Sequence, residues 1–509
     1  MTTWVSSGAT LGADATLATR DSVEPVLRET IIGQFTWRAV DWRRITFSWN
    51  GKHFAYVWRR SRYEDQGPGQ IIVDGVPGEK YEDVTDPEWE RTGSRLAYAA
   101  KRGAKWFVVV NGVEGEKYDG IEIAPRYVLF SPDGSRLAYV GVRATGQDSG
   151  QMETKQFVVV DGVERKGAYD YVSDLHFSQD DRRFGCCAKR AGKPVLILDG
   201  AEREIVGYDS LRDLVFSPDG KHVAYVASRA KAVSEGEPTQ NEGAGDTVIL
   251  DGQELKAHDS VGLLRGCFSA DGEHFAYVAA NRATTDSALF QAIISHMNDK
   301  NTQEQVEGMV EQLRKSSPQL FSKTKEYVVK DGVEGPHYDE IDQVRGLIWG
   351  GGPHGERFGY TAFCESGVSE PNDVGVVDGT EIRSHDHAAY PCFSPDGKRL
   401  AYAAKIGKKT LIVLDGVTGP EYDGVSVYTM AFSPDSRHFV YWGRRGATFV
   451  LVADGQEIRA YDNPWNERQI TSTMSEPITF DTSDSFHTHV SRGENIVRVQ
   501  GDWPQPEAH

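Results

Sequence analysis

The chain has few cysteines. There are five in 509 residues, at Cys186, Cys187, Cys267, Cys364 and Cys392, an odd number with no Cys-x-x-Cys spacing. That pattern argues against a disulfide framework and predicts reduced core thiols. Basic residues are also in the minority: 56 Lys and Arg stand against 75 Asp and Glu, for a formal net charge of −19. Nucleic-acid partners require a basic footprint, so none is expected, and docking on anionic lipid is disfavoured for the same reason. No apolar run reaches bilayer length, so no membrane insertion is expected. The opening MTTWVSSGATLGADATLATR has neither a basic start nor an apolar stretch of signal length, and a soluble, cytoplasmic protein is the expectation.

Familiar catalytic signatures are missing too. No G-x-S-x-G nucleophile elbow occurs, and none of the Gly-Lys pairs is followed by Ser or Thr as a P-loop requires. Gly350-Gly351-Gly352-Pro353-His354-Gly355 matches G-x-G-x-x-G, but no helix pattern follows it, so it reads as a widened hairpin. No cofactor is expected.

What the chain does have is a repeat. FSPDG or a close variant begins at Phe47, Phe130, Phe177, Phe216, Phe268, Phe393 and Phe432, with weaker copies at Trp89, Trp349 and Phe480. These ten anchors lie 39 to 52 residues apart, except for the 81 between Phe268 and Trp349. Around Phe393 the unit resolves into four short strands, a to d. Strand a ends at Phe393, Ser394 to Gly397 turn the chain, Arg399–Ala403 is strand b and Thr410–Leu414 strand c. Asp415-Gly416 supplies a tight hairpin, and strand d runs towards Tyr422-Asp423. Four antiparallel strands in about 40–45 residues describe a β-propeller blade. The F-S-P-D-G-k-x-L-A-[YF] core resembles that of TolB-type propeller repeats over nearly the whole chain, a family with no single function.

The expected fold is therefore all-β: a propeller of about ten four-stranded blades, with two five-bladed rings as the alternative. The last unit has strands a to c only. Gly33–Asp41 resembles strand d of the ninth unit, Gly455–Asp462, so residues around 29–40 are expected to close the ring, leaving 1–28 as an extension and 29–509 as the propeller. The recurring Tyr-Asp pairs, such as Tyr118-Asp119 and Tyr422-Asp423, with His258-Asp259 and His385-Asp386 as variants, are read as structural: Tyr packed between blades, Asp bonded to backbone N–H groups of the d–a loop.

Units differ mainly in their b–c loops, at about 58–70, 141–156, 227–246, 279–325 and 362–373, which all fall on one face. In the sixth unit, 283–322 carries two amphipathic helical stripes. Candidate partner-binding residues are Phe290, Ile294 and Met297 on the first stripe and Arg59, Arg60 and Tyr63 in the one dense basic-aromatic loop. His385 with His387, and His487 with His489, are weak metal candidates, since two histidines alone do not make a site. The function expected is a non-catalytic scaffold that binds a protein or peptide through the loop-bearing face. The alternative is a propeller lyase or hydrolase acting on a sugar or peptide near the central channel.

Overall fold

The computed structural model describes residues 24–34, 45–59, 67–122, 128–148, 151–229, 245–281, 325–343, 345–351, 357–364, 372–382, 385–462, 478–492 and 495–504. Among these, every regular element is a strand, and the protein is a β-propeller. The unit starting at Gly424 is representative. Gly424–Phe432, Phe439–Arg445, Thr448–Ala453 and Gln456–Asp462 pair in order as one antiparallel sheet. The strand b sequence FVYWG is buried throughout because blades cover both of its faces.

Both turn signals form as the sequence predicts. In the Phe393 unit, Ser394 Oγ donates to Asp396 Oδ1 at 2.7 Å and accepts from Arg399 N at 3.0 Å, which knots the a–b corner. Asp415 and Gly416 both take positive φ, 52° and 81°, the combination a type I′ hairpin requires. The Asp has a further task that its reading as a turn residue left out. Asp415 Oδ1 accepts Leu400 N at 3.0 Å, and its Oδ2 meets Arg399 Nε at 2.8 Å. The same carboxylate clip links Asp161 to Arg136 and Leu137, and Asp251 to His222 and Val223. Its sequence signal is the His or Arg just before strand b.

Closure comes from the N-terminal segment, although not in the predicted register. Val26–Gln34 pairs antiparallel with Asn495–Asp502, Val26 opposite Asp502 and Gln34 opposite Asn495. The strand thus begins inside the segment assigned to an extension, and Gly33 falls at its end instead of its start. Glu29 fixes the true alignment: it accepts Tyr461 Oη at 3.2 Å, as Glu457 accepts Tyr422 Oη at 3.0 Å. Buried clusters join each unit to the next. Ile496 of the last unit packs with Ile45, Phe54, Tyr56 and Ile72 of the first. There His489 Nε2 donates to Gly51 O at 3.0 Å and stacks on Phe47 at 4.1 Å.

Two units depart from the separate-blade pattern. The seventh and eighth share one nine-stranded sheet through a parallel pairing of Val374 with Ala388. The expected loop at 141–156 is instead a hairpin extension, with Leu137–Asp148 paired to Gln151–Val160. The connection 282–324 lies outside the described residues.

Candidate functional site

A fastener recurs at several seams between neighbouring blades, and the candidate site is a cleft at one of the seams where it is replaced. Tyr118, Tyr169 and Tyr422 are each buried at the end of one unit. Each donates its hydroxyl to a glutamate on strand d of the next: Glu164 at 3.2 Å, Glu202, and Glu457 at 3.0 Å. The arginine at the seventh residue of strand b in that next unit pairs with the same carboxylate, Arg143 at 2.5 Å, Arg190 at 2.7 Å and Arg445 at 2.8 Å. Its guanidinium lies 4.7–4.8 Å above the tyrosine ring. Burial pushes the phenols up, while Arg190 holds the Glu202 carboxyl below the usual range. The following aspartate also crosses the seam. Asp423 takes Lys409 Nζ at 2.7 Å from its own unit and Gly446 N at 2.6 Å from the next. The tyrosine thus packs between blades as expected, whereas the aspartate takes its backbone N–H from the neighbouring blade's b–c turn and not from the d–a loop.

Between units five and six the fastener is replaced. His258 occupies the tyrosine position, and Asn281 stands where Arg143, Arg190 and Arg445 stand in theirs. His258 is buried. Its Nδ1 meets Tyr327 Oη at 2.9 Å and its Nε2 meets Tyr277 Oη at 3.2 Å. Burial, reinforced by the Lys256 charge, lowers its pKa and favours the neutral ring. Glu334, in the fastener glutamate position, is taken instead by Lys256 Nζ at 2.5 Å.

A cleft of about 580 Å³ opens along this seam. Leu250, Leu255, Phe268, Phe275 and Val329 form its apolar wall, and His258 and Tyr277 also line it. Its acidic groups are Asp251, Glu273, Asp331 and Glu334; Asp251 is bonded to His222 at 2.6 Å and Asp331 to His274 at 2.8 Å. An apolar wall with ordered polar groups around it is the general form of a recognition site. Sequence reasoning missed it because His258 was taken as a neutral variant of tyrosine. The tyrosine and the arginine are both lost here and also between units seven and eight, where His385 and Ile406 stand, so the sequence pattern alone does not single out this seam.

The residues singled out from sequence do not converge on this cleft. Arg59 is buried, with its guanidinium turned into the first seam: Nη1 donates to Gly67 O at 2.6 Å and meets Asp83 Oδ1 at 3.3 Å, and Nη2 donates to Val84 O at 2.5 Å. It is a scaffold residue, which corrects its assignment to an open binding loop. Arg60, Tyr63, Phe290, Ile294 and Met297 lie outside the described residues. His385 is exposed at φ 61°, whereas His387 is half-buried at the start of a strand, opposite Lys405. His487 is buried against Asp481 Oδ1 at 2.9 Å, and that carboxylate also takes Arg498 Nη2 at 2.9 Å. Among the described residues, no group of three or more His, Cys, Asp or Glu is placed to hold a metal ion. All five cysteines are free thiols, and burial raises Cys186, Cys187 and Cys267 above the usual thiol range. No helix among the described residues is long and apolar enough to cross a membrane.

No family model matches the chain, and no curated protein matches it. Solved structures similar to it include a eukaryotic initiation factor (11% identity, covering 77% of this chain and 90% of that one, TM-score 0.39). Another is the β-propeller domain of the Trilobed protease from Pyrococcus furiosus (12% identity, 66% and 96% covered, TM-score 0.28). A third is the Dos1 propeller (10% identity, 77% and 96% covered, TM-score 0.30). At these scores the likenesses carry no argument about activity, and the class rests on the strand topology above.

Proposed function

We propose that this chain is a non-catalytic propeller scaffold, one ring of ten blades of TolB-type repeat, that binds a protein or peptide partner in the cytoplasm. The partner seats in the cleft between units five and six, which is edged by the a–b turn at Gly272-Glu273 and the c–d turns at Asp251 and Asp331-Gly332, and reaches from there to the b–c loop face, including the 283–322 insertion with Phe290, Ile294 and Met297. One observation carries the reading: at the seam where the cleft opens, His258 and Asn281 stand in the places of the fastener's tyrosine and arginine; the b–c connections of the same two units, 230–244 and 282–324, are the longest that the described strands leave. On a repeat scaffold, function sits where a unit departs from its neighbours.

The test is capture from the native host, comparing wild type with Leu255→Trp, which fills the cleft, and with 283–322 replaced by a short Gly-Ser loop. A specific partner should be retained by wild type and lost by both variants while their melting transitions stay unchanged. A partner kept by both folded variants would place binding elsewhere on the ring and overturn the reading.

A further inference from the structure

We infer that the cleft between units five and six takes a basic side chain, lysine or arginine, presented by a peptide partner. The inference rests on the scaffold reading and adds the chemistry of what is bound. Four carboxylates line the cleft: Glu334 is paired with Lys256 at 2.5 Å, Asp251 and Asp331 are bonded to His222 and His274, and Glu273 is exposed at the edge. The buried ring of His258 favours its neutral form and adds no offsetting charge.

The wall fits the other half of such a side chain. Lysine and arginine carry an apolar stem behind a charged head. Leu250, Leu255 and Val329 with the rings of Phe268 and Phe275 offer the stem a surface, and the exposed Glu273 offers the head a carboxylate. Glu273 is exposed on the a–b turn of unit six and is the carboxylate we assign to first contact. Asp251 and Asp331 are already engaged by His222 and His274 and act as a second layer. The chain's overall charge of −19 attracts basic ligands everywhere, so the test must separate the cleft from the general field.

The experiment is fluorescence anisotropy with two labelled probes, a short alternating Leu-Lys peptide and its Leu-Glu counterpart, at about 150 mM salt where long-range steering is screened. Wild type should bind the Leu-Lys probe and not the Leu-Glu probe. Glu273→Lys and Leu255→Trp should each weaken binding about tenfold or more. Glu79→Lys, an equal charge change on an exposed strand d of the first unit, should shift it less than about twofold. Equal losses from Glu79→Lys and Glu273→Lys would show a diffuse field and overturn the inference, as would equal binding of the two probes. Should the Leu-Lys probe fail to bind while Leu255→Trp still loses the native partner, the basic-ligand inference falls and the scaffold stands. Retention of the native partner by Leu255→Trp counts against the scaffold reading itself.

Discussion

The seam between units eight and nine and the seam between units five and six occupy equivalent places in the ring, yet only one is fastened shut. At the first, Tyr422 is fully buried, its hydroxyl held by Glu457 and its ring covered by Arg445. At the second, His258 turns both ring nitrogens to the hydroxyls of Tyr277 and Tyr327, Lys256 takes the glutamate, and a cleft remains. One backbone position thus closes a joint in one place and lines a cavity in another. A repeat protein can give up one fastener because each unit is stabilised chiefly by its two neighbours.

The harshest way to break the comparison is to remove the closure that both seams depend on. Deleting residues 1–34 strips the last blade of its fourth strand and bares the Asn495–Asp502 edge. Aggregation on size-exclusion chromatography, or loss of the cooperative melt, is expected. A deletion protein that melts like the full chain would refute the N-terminal latch.

A smaller effect separates the two seams directly. Tyr422→Ala removes a fully buried ring and should cost about 3–5 kcal/mol in chemical denaturation. His258→Ala removes a smaller group beside existing space and should cost about 1–3 kcal/mol. Equal costs would mean that the seams are equivalent after all.

Acid should sharpen the contrast further. Burial holds His489 near pKa 4 at the junction of the last and first units, against about 6.5 in an unfolded chain. As pH falls the unfolded chain takes up this proton first. Stability from His489 is therefore intact above about pH 6.5 and is lost progressively towards pH 4, by about 3 kcal/mol in all. His258 shifts in the same direction. Hydrogen exchange at pH 5, corrected for intrinsic rate, should rise around 47–57 and 486–490 before it rises around 422–457. A uniform rise would contradict the assignment.

The mildest change tests the loop histidines. His385→Ala with His387→Ala alters an exposed bend and a half-buried strand start. Stability should move by no more than about 0.5 kcal/mol, and elemental analysis should find the same metal content as wild type. A transition metal present in wild type and lost in the variant would reinstate the pair as ligands.

Much of the fold was legible in the sequence because its signals are local. Ser-Pro-Asp-Gly and Asp-Gly announce turns through their own side chains and φ angles, and the β-branched runs between them announce strands. The existence of a closing strand was legible as well, but its register was not. Gly33-Gln34 imitates Gly455-Gln456, while the fact that decides the register is a long-range bond from Tyr461 to Glu29. Arg59 was misread for a related reason: a basic residue at the edge of a loop looks solvated in sequence, and only the fold brings Asp83 and the Val84 carbonyl to meet it. The cleft was hidden because its lining comes from several strands and turns of two units, among them His258, Tyr277 and Glu273, each unremarkable alone.

The most direct test is to rebuild the missing fastener with His258→Tyr, Asn281→Arg and Tyr327→Phe together, and to measure melting temperature and partner capture on the same preparation. The account predicts opposite movements: a higher melting temperature as the seam closes, and loss of the partner as the cleft fills. A rebuilt seam that is more stable and still holds the partner would contradict the claim that this protein binds in the cleft between units five and six.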